Sequence, residues 1–177
     1  MFLELFQRSG VYVPPAAHPR SAAATWIGRL LPAPGALFWT FVVIGEELGD
    51  RLTRTVPAGV EEETLSAVVY NMARLHVRDE ARHIAHTRAE CAEATRRLPA
   101  WRRAMLSPLV GAALDTMARR VYYPPGALYD WAGLLPGTDW RSAARANPVR
   151  RRLVAKSTQP TVEFLRAAGW RVGSPHQ

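Results

Sequence analysis

His76-Val-Arg-Asp-Glu80-Ala-Arg-His83 spaces three metal-type ligands as H-x3-E-x2-H. On a helix these fall at i, i+4 and i+7, within about 60° of one another on a single stripe. The same stripe carries Leu65, Val69 and Met72, while Arg74, Arg78, Arg82 and Arg88 lie broadly on the opposite side. This pattern predicts an amphipathic helix with two imidazoles and a carboxylate turned toward the core. Such groups are costly to bury unless something binds them, and a metal ion is the simplest partner.

Outward from this stretch the chain reads as helix almost throughout. The helix carrying the ligands runs from about Val60 to Arg97, with Glu61-Glu62-Glu63 complementing the dipole at its start. Before it, an apolar helix covers Ala36 to about Thr55 and ends at the turn Val56-Pro-Ala-Gly59. Residues 1–8 read as the tail of an amphipathic helix, and Ser21 caps a short one ending near Leu31. After it, Trp101 to Tyr123 form a helix bent near Pro108, and short helical pieces fill 127–146. Asn147-Pro148 supply a cap and first turn for a helix to about Lys156. A separate helix capped by Ser157 or Thr158 then spans Pro160 to Ala168 and closes at Gly169. No alternating strand pattern persists. Helices of this length, joined by short Pro/Gly turns, predict one all-α domain over 1–177, an antiparallel bundle.

Composition narrows the class. The one cysteine, Cys91, excludes an internal disulfide framework and fits a reducing compartment. The opening residues Met1-Phe-Leu-Glu-Leu-Phe lack a basic n-region, so no secretory signal is read. The longest apolar run, Ala36 to Gly45, is roughly half of what a bilayer span needs. A cytoplasmic protein is expected, without membrane partners. The net charge is +8, carried almost wholly by arginine, with Lys156 the one lysine. The arginines are scattered over helix faces and cluster only at Arg150-Arg151-Arg152, with no aromatic interleaving. No nucleic-acid partner is therefore expected.

In carboxylate-bridged two-metal bundles, two helices each supply a Glu and two others each supply Glu-x-x-His, all facing inward. Glu80-Ala-Arg-His83 is one such Glu-x-x-His, and His76 adds a ligand one turn earlier. A single-Glu helix should lie nearby, and Gly45-Glu46-Glu47-Leu48-Gly49-Asp50 sits in the apolar helix. Glu46 shares a face with Trp39, Val42 and Val43, whereas Glu47 groups with Thr40, Asp50, Arg51 and Arg54 and looks more solvated. Glu46 is therefore assigned as the ligand, with Glu47 as the fallback. Asp79 and Arg82 flank the ligands, where a carboxylate can orient a metal-bound histidine and an arginine can restrain that carboxylate. A surface ion pair explains those two equally well. The pattern is not the H-E-x-x-H of zinc proteases.

These segments together, with Gln159-Pro-Thr-Val-Glu-Phe-Leu-Arg-Ala-Ala-Gly169, resemble the p-aminobenzoate N-oxygenase (AurF-like) family of di-iron oxygenases. The resemblance implies a ferritin-like fold, commonly a homodimer, with two irons that activate dioxygen to oxidise an amine; manganese is the alternative metal. It implies iron ligation by Glu46, His76, Glu80 and His83, with Glu80 bridging. A small-molecule amine, dioxygen and an external electron donor would be its reactants and partners.

The family site also takes a further Glu and an earlier Glu-x-x-His. The 45 residues before Glu46 hold no Glu-x-x-His, since Glu4 is followed by Gln7 and His18 lies among prolines. The chain is thus expected to correspond to the C-terminal half to two-thirds of a member, lacking its N-terminal helices. It would act as a truncated or split oxygenase completed by a second copy or a complementing N-terminal half. The alternative is an inactive helical fragment or a partner-dependent subunit that binds metal weakly or not at all.

Overall fold

The computed structural model describes residues 35–58, 67–135 and 137–174. Helix α1 spans Ala36–Ala58, α2 Ala67–Arg96, α3 Ala100–Tyr122, α4 Gly126–Trp131, α5 Trp140–Ala146 and α6 Pro148–Ala167. No strand occurs among the described residues, and no helix among them is long and apolar enough to cross a membrane. The helices expected within residues 1–31, Gly59 of the expected turn and the acidic start Glu61-Glu62-Glu63 lie outside the described residues; Val56, Pro57 and Ala58, expected in that turn, belong instead to the last turn of α1.

The pairings show an antiparallel arrangement. From α1 to α2, Thr40 meets Cys91 at 3.4 Å while Glu47 meets Arg88 at 2.6 Å, so one sequence rises as the other falls. From α3 toward α6, the Tyr122 carbonyl accepts from Arg150, and Ser107 Oγ accepts from the Arg171 backbone N–H. The core is built from Ile44 and Leu48 of α1, Val110, Leu114, Ala118 and Tyr122 of α3, and Val154, Val162 and Leu165 of α6, closed by Trp170. On α3 the buried positions recur at three- and four-residue steps from Ser107 to Tyr122. That continuous stripe carries α3 through Pro108 without the break a proline favours.

Two expectations need correction. The separate helices expected on either side of Ser157 are one helix, α6, with Pro160 inside it. Pro160 has no N–H to give to the Lys156 carbonyl, a loss on the order of 3 kcal/mol in an isolated helix. The unbroken buried stripe Val154, Ser157, Thr158, Thr161, Val162 and Leu165 outweighs it, since a break would unpack its lower half. Thr158 does not cap a new helix; its hydroxyl donates back to the Val154 carbonyl at 2.9 Å.

The second correction concerns which face of α2 is inside. Its buried residues are Ala73, Glu80, Thr87, Cys91 and Thr95, whereas Met72, His76 and His83 are exposed. The buried face is thus rotated by roughly 40–60° from the stripe expected from the large apolar residues. Small side chains there let α1 approach closely, and the Cys91 thiol packs against the Thr40 hydroxyl. His86 takes Trp39 edge-on, their rings 5.6 Å apart.

The ends of α6 follow their sequence signals. Asn147 Oδ1 accepts from the backbone N–H groups of Val149 and Arg150, and Pro148 occupies the first turn. At the other end Gly169 adopts φ 100° and Trp170 N–H donates to the Leu165 carbonyl, a closure that needs the left-handed conformation. A Cβ at Gly169 would also lie 3.1 Å from Arg103 Nε, the guanidinium that caps the Leu98 carbonyl after α2.

Asn147→Ala should cost about 1 kcal/mol in urea unfolding, and Asn147→Asp much less. Burial pushes the Cys91 thiol above its ordinary range, against the opposing bonds to Thr40 and Thr95. The raised folded value means this contribution is complete below the free thiol value, about pH 8.5, and fades as pH rises through the folded one. Native protein should therefore react slowly with iodoacetamide at pH 8 and rapidly once unfolded. Equal rates would show that Cys91 is not shielded.

Candidate metal centre

Glu80 is the centre of the site. Its side chain is 10% exposed, set on the inner edge of α2 against α1. One turn earlier, His76 Nδ1 lies 3.4 Å from Glu80 Oε1. One turn later, His83 Nδ1 lies 3.7 Å from Glu80 Oε2. The helical spacing thus sets one imidazole beside each oxygen of a single carboxylate.

Glu46 reaches the same place from α1. Ligand atoms of Glu46, Glu80 and His83 lie within 4.8 Å of one another. Two carboxyl groups this close repel unless a proton or a cation lies between them. The hydrogen bond with Glu80, then burial, hold the Glu46 carboxyl above the usual carboxylate range, while the imidazoles of His83 and His76 pull it down. Glu80 Oε2 is buried and accepts no hydrogen bond. A buried oxygen with no donor, beside a second carboxylate and an imidazole nitrogen, fits a divalent cation. The residues present therefore fit a metal.

The imidazoles are not core groups. His76 is 51% exposed and His83 63%, which corrects the expectation that both point inward. Among the described residues the outer side of the site is open. Asp79 and Arg82 are exposed on α2, and neither bonds to Glu46, His76, Glu80 or His83. His86 is occupied with Trp39.

Glu47 reverses its expected environment. It is buried, accepts from Arg88 Nε at 2.6 Å and from Thr161 Oγ1 at 2.7 Å, and so joins α1 to α2 and α6. The Arg88 guanidinium also lies 5.0 Å over the Phe164 ring. Arg88 is thus turned inward and does not belong with the solvent-facing arginines of α2. Sequence reasoning missed this pair. A signal was present, since Arg88 sits one turn beyond Ile84 and closer to the Glu80 direction than Arg74, Arg78 or Arg82 do.

A cleft of about 250 Å³ opens between α1 and α2. Its walls include the chain neighbours of the converging residues: Glu47 beside Glu46, Ala81 beside Glu80 and Ile84 beside His83. Asp50, Arg51 and Arg54 complete it. Arg54 pairs with Asp50 at 2.7 Å, leaving the buried Asp50 Oδ1 and Arg51 Nε without partners.

The sequence model of one protein family, described as p-aminobenzoate N-oxygenase AurF, matches residues 1–169. The chain belongs to the AurF family. That family is a di-iron helical fold, and the antiparallel bundle with its two-carboxylate, histidine-bearing seam agrees with it. No curated protein and no solved structure matches the chain. Within the AurF framework, Glu46, His76, Glu80 and His83 occupy one seam, and Glu47 supports it from behind.

Arg88→Met should destabilise the fold by about 3 kcal/mol, because it strands the Glu47 carboxylate in the interior. Arg88→Lys should recover part of that loss. Urea unfolding at pH 7 checks both, and an Arg88→Met protein as stable as wild type would show that the pair does not hold the helices.

Proposed function

We propose that this chain is a metal-dependent oxygenase of the amine N-oxygenase type. The observation that carries the reading is the convergence of Glu46, Glu80 and His83 in a member of a di-iron family. In this reading His76, Glu80 and His83 of α2 and Glu46 of α1 would hold the metal. Iron is the expected metal and manganese the alternative. Two irons held there supply dioxygen-binding redox chemistry that no amino-acid side chain provides.

The remaining work belongs to the chain. The pairing of Glu47 with Arg88 and Thr161 fixes the rotation of α1 and so the aim of Glu46. The adjoining cleft has room for a small molecule of about one aromatic ring, with Asp50, Arg51 and Arg54 among its lining. Hydroxylation of an amine consumes the amine, one dioxygen, two electrons and two protons, and releases a hydroxylamine and a water. An external electron donor is therefore required.

A second reading, a subunit that completes its metal cage with another chain, is favoured by the exposure of both imidazoles. A two-metal carboxylate site takes more ligands than the four assigned here. The exposed edges of His76 and His83 are where ligands from a second copy, or from a complementing helical half, would enter. A helical chain without catalytic activity is the limiting form of this reading.

Protein expressed with iron should retain it through gel filtration, and His76→Ala/His83→Ala should lose most of it. Equal iron in both, measured by mass spectrometry, sinks the oxygenase reading. If retained iron is confined to the dimer fraction, the metal cage is shared between copies. Oxygen-dependent amine oxidation by the purified chain alone would exclude the inactive form.

A further inference from the structure

Helix α6 carries a feature that neither the core nor the candidate metal centre uses. Arg151, Arg152, Lys156 and Arg166 line a groove of about 640 Å³ along its outer flank. All four are exposed and among the described residues none of them is paired with an acid, although Arg166 Nε donates to the Val172 carbonyl at 2.9 Å. Arg151 also borders a smaller cleft with Arg145 and with Arg119, the latter paired to Asp115 at 2.7 Å.

The placement goes against helix electrostatics. Cations near a helix N-terminus meet the positive end of its dipole, and α6 has no acidic residue in its first turn. Arg150 is accounted for by the Tyr122 carbonyl, which it reaches at 2.8 Å. Arg151 and Arg152, immediately after it, have no such partner. Where a chain breaks a local rule without a gain in stability, the reason is commonly a ligand or partner.

We infer that this groove docks an acidic one-electron carrier protein, which supplies the electrons the oxygenase consumes; the inference rests on the oxygenase reading above. A protein partner is favoured over nucleic acid by the lining. Glu163 places a carboxylate within the groove, where a phosphate backbone would be repelled, and no aromatic ring lines it for base stacking. Pro148, Ala155 and Val162 give it a partly apolar floor, as at protein interfaces.

The groove is also connected to the site. Val162 is in its lining, the neighbouring Thr161 donates to Glu47 at 2.7 Å, and Glu47 adjoins Glu46 in the chain. A path of covalent bonds interrupted by one hydrogen bond thus runs from the docking surface to a candidate ligand. Each carrier gives up one electron and is itself oxidised, so two encounters deliver the pair used with each dioxygen.

The test mixes iron-loaded full chain with a reduced acidic [2Fe–2S] ferredoxin and follows ferredoxin oxidation by stopped flow. The bimolecular rate should fall at least about tenfold as salt rises from roughly 20 to 300 mM. Arg151→Glu/Arg152→Glu/Lys156→Glu should lower the low-salt rate about tenfold or more and flatten the salt dependence. Dithionite, which needs no docking, should reduce both proteins equally, and their iron content and thermal unfolding should match. Unchanged ferredoxin rates in the triple variant, or rates indifferent to salt, would overturn the proposal. If neither reductant finds iron to reduce, the oxygenase reading has failed. Calorimetric titration of the full chain with ferredoxin then decides the surface alone: binding lost in the triple variant supports it, and no binding overturns it. A random DNA duplex that binds more tightly than ferredoxin and displaces it would also overturn it, in favour of nucleic acid.

Discussion

A buried carboxylate fixes the geometry of this bundle. Glu47 lies in the interior, where an unpaired charge would cost several kcal/mol, and it is tolerated because Arg88 and Thr161 meet it from two other helices. Its side chain is 3% exposed, whereas that of Arg88 is 38% exposed, so the guanidinium keeps contact with water while neutralising a group that has none. The arrangement holds α1, α2 and α6 to one relative rotation. Consecutive helical residues point about 100° apart, so turning Glu47 toward Arg88 and Thr161 turns Glu46 toward Glu80. The aim of the candidate ligand is thus a consequence of how its neighbour is neutralised.

This explains how the environments of the two glutamates differ from what one helix suggests. In sequence, the residues sharing a face with Glu47, namely Asp50, Arg51 and Arg54, look like a solvated stripe, which points to Glu46. Glu46 does face Glu80, but Glu47 is the more deeply buried of the two. Of that stripe Asp50 is buried and paired to Arg54, which stays half exposed. A single helix read alone assigns charge to water. Only the neighbouring helix reveals that complementary charges have been buried together.

Elsewhere, legibility followed the strength of local signals. The Asn147-Pro148 start and the Gly169 end of α6 are set by backbone chemistry within a few residues, and both were readable from the sequence. The continuity of α6 across Pro160 was not, because it depends on packing at Val162 and Leu165 beyond the proline. The inner face of α2 was misplaced for a related reason. Large apolar residues such as Met72 and Leu75 are exposed, while the small Ala73, Thr87, Cys91 and Thr95 are buried. Close helix approach selects for small volume, which a search for large hydrophobic side chains does not detect.

The two departures from an ideal sequence lie on different helices, and each leaves a surface unfinished. On α2, the imidazoles of His76 and His83 stand at the rim of a buried carboxylate. On α6, arginines crowd a helix start that electrostatics would rather give to acids. Neither contributes to the core, whose stripes on α3 and α6 are regular. Both flanks connect inward to Glu47, by way of its neighbour Glu46 on one side and by way of Thr161 on the other. A chain built only to fold would need neither exposed feature. Their shared link through one buried ion pair ties the orientation of both features to a single contact, the one between Glu47 and its partners Arg88 and Thr161.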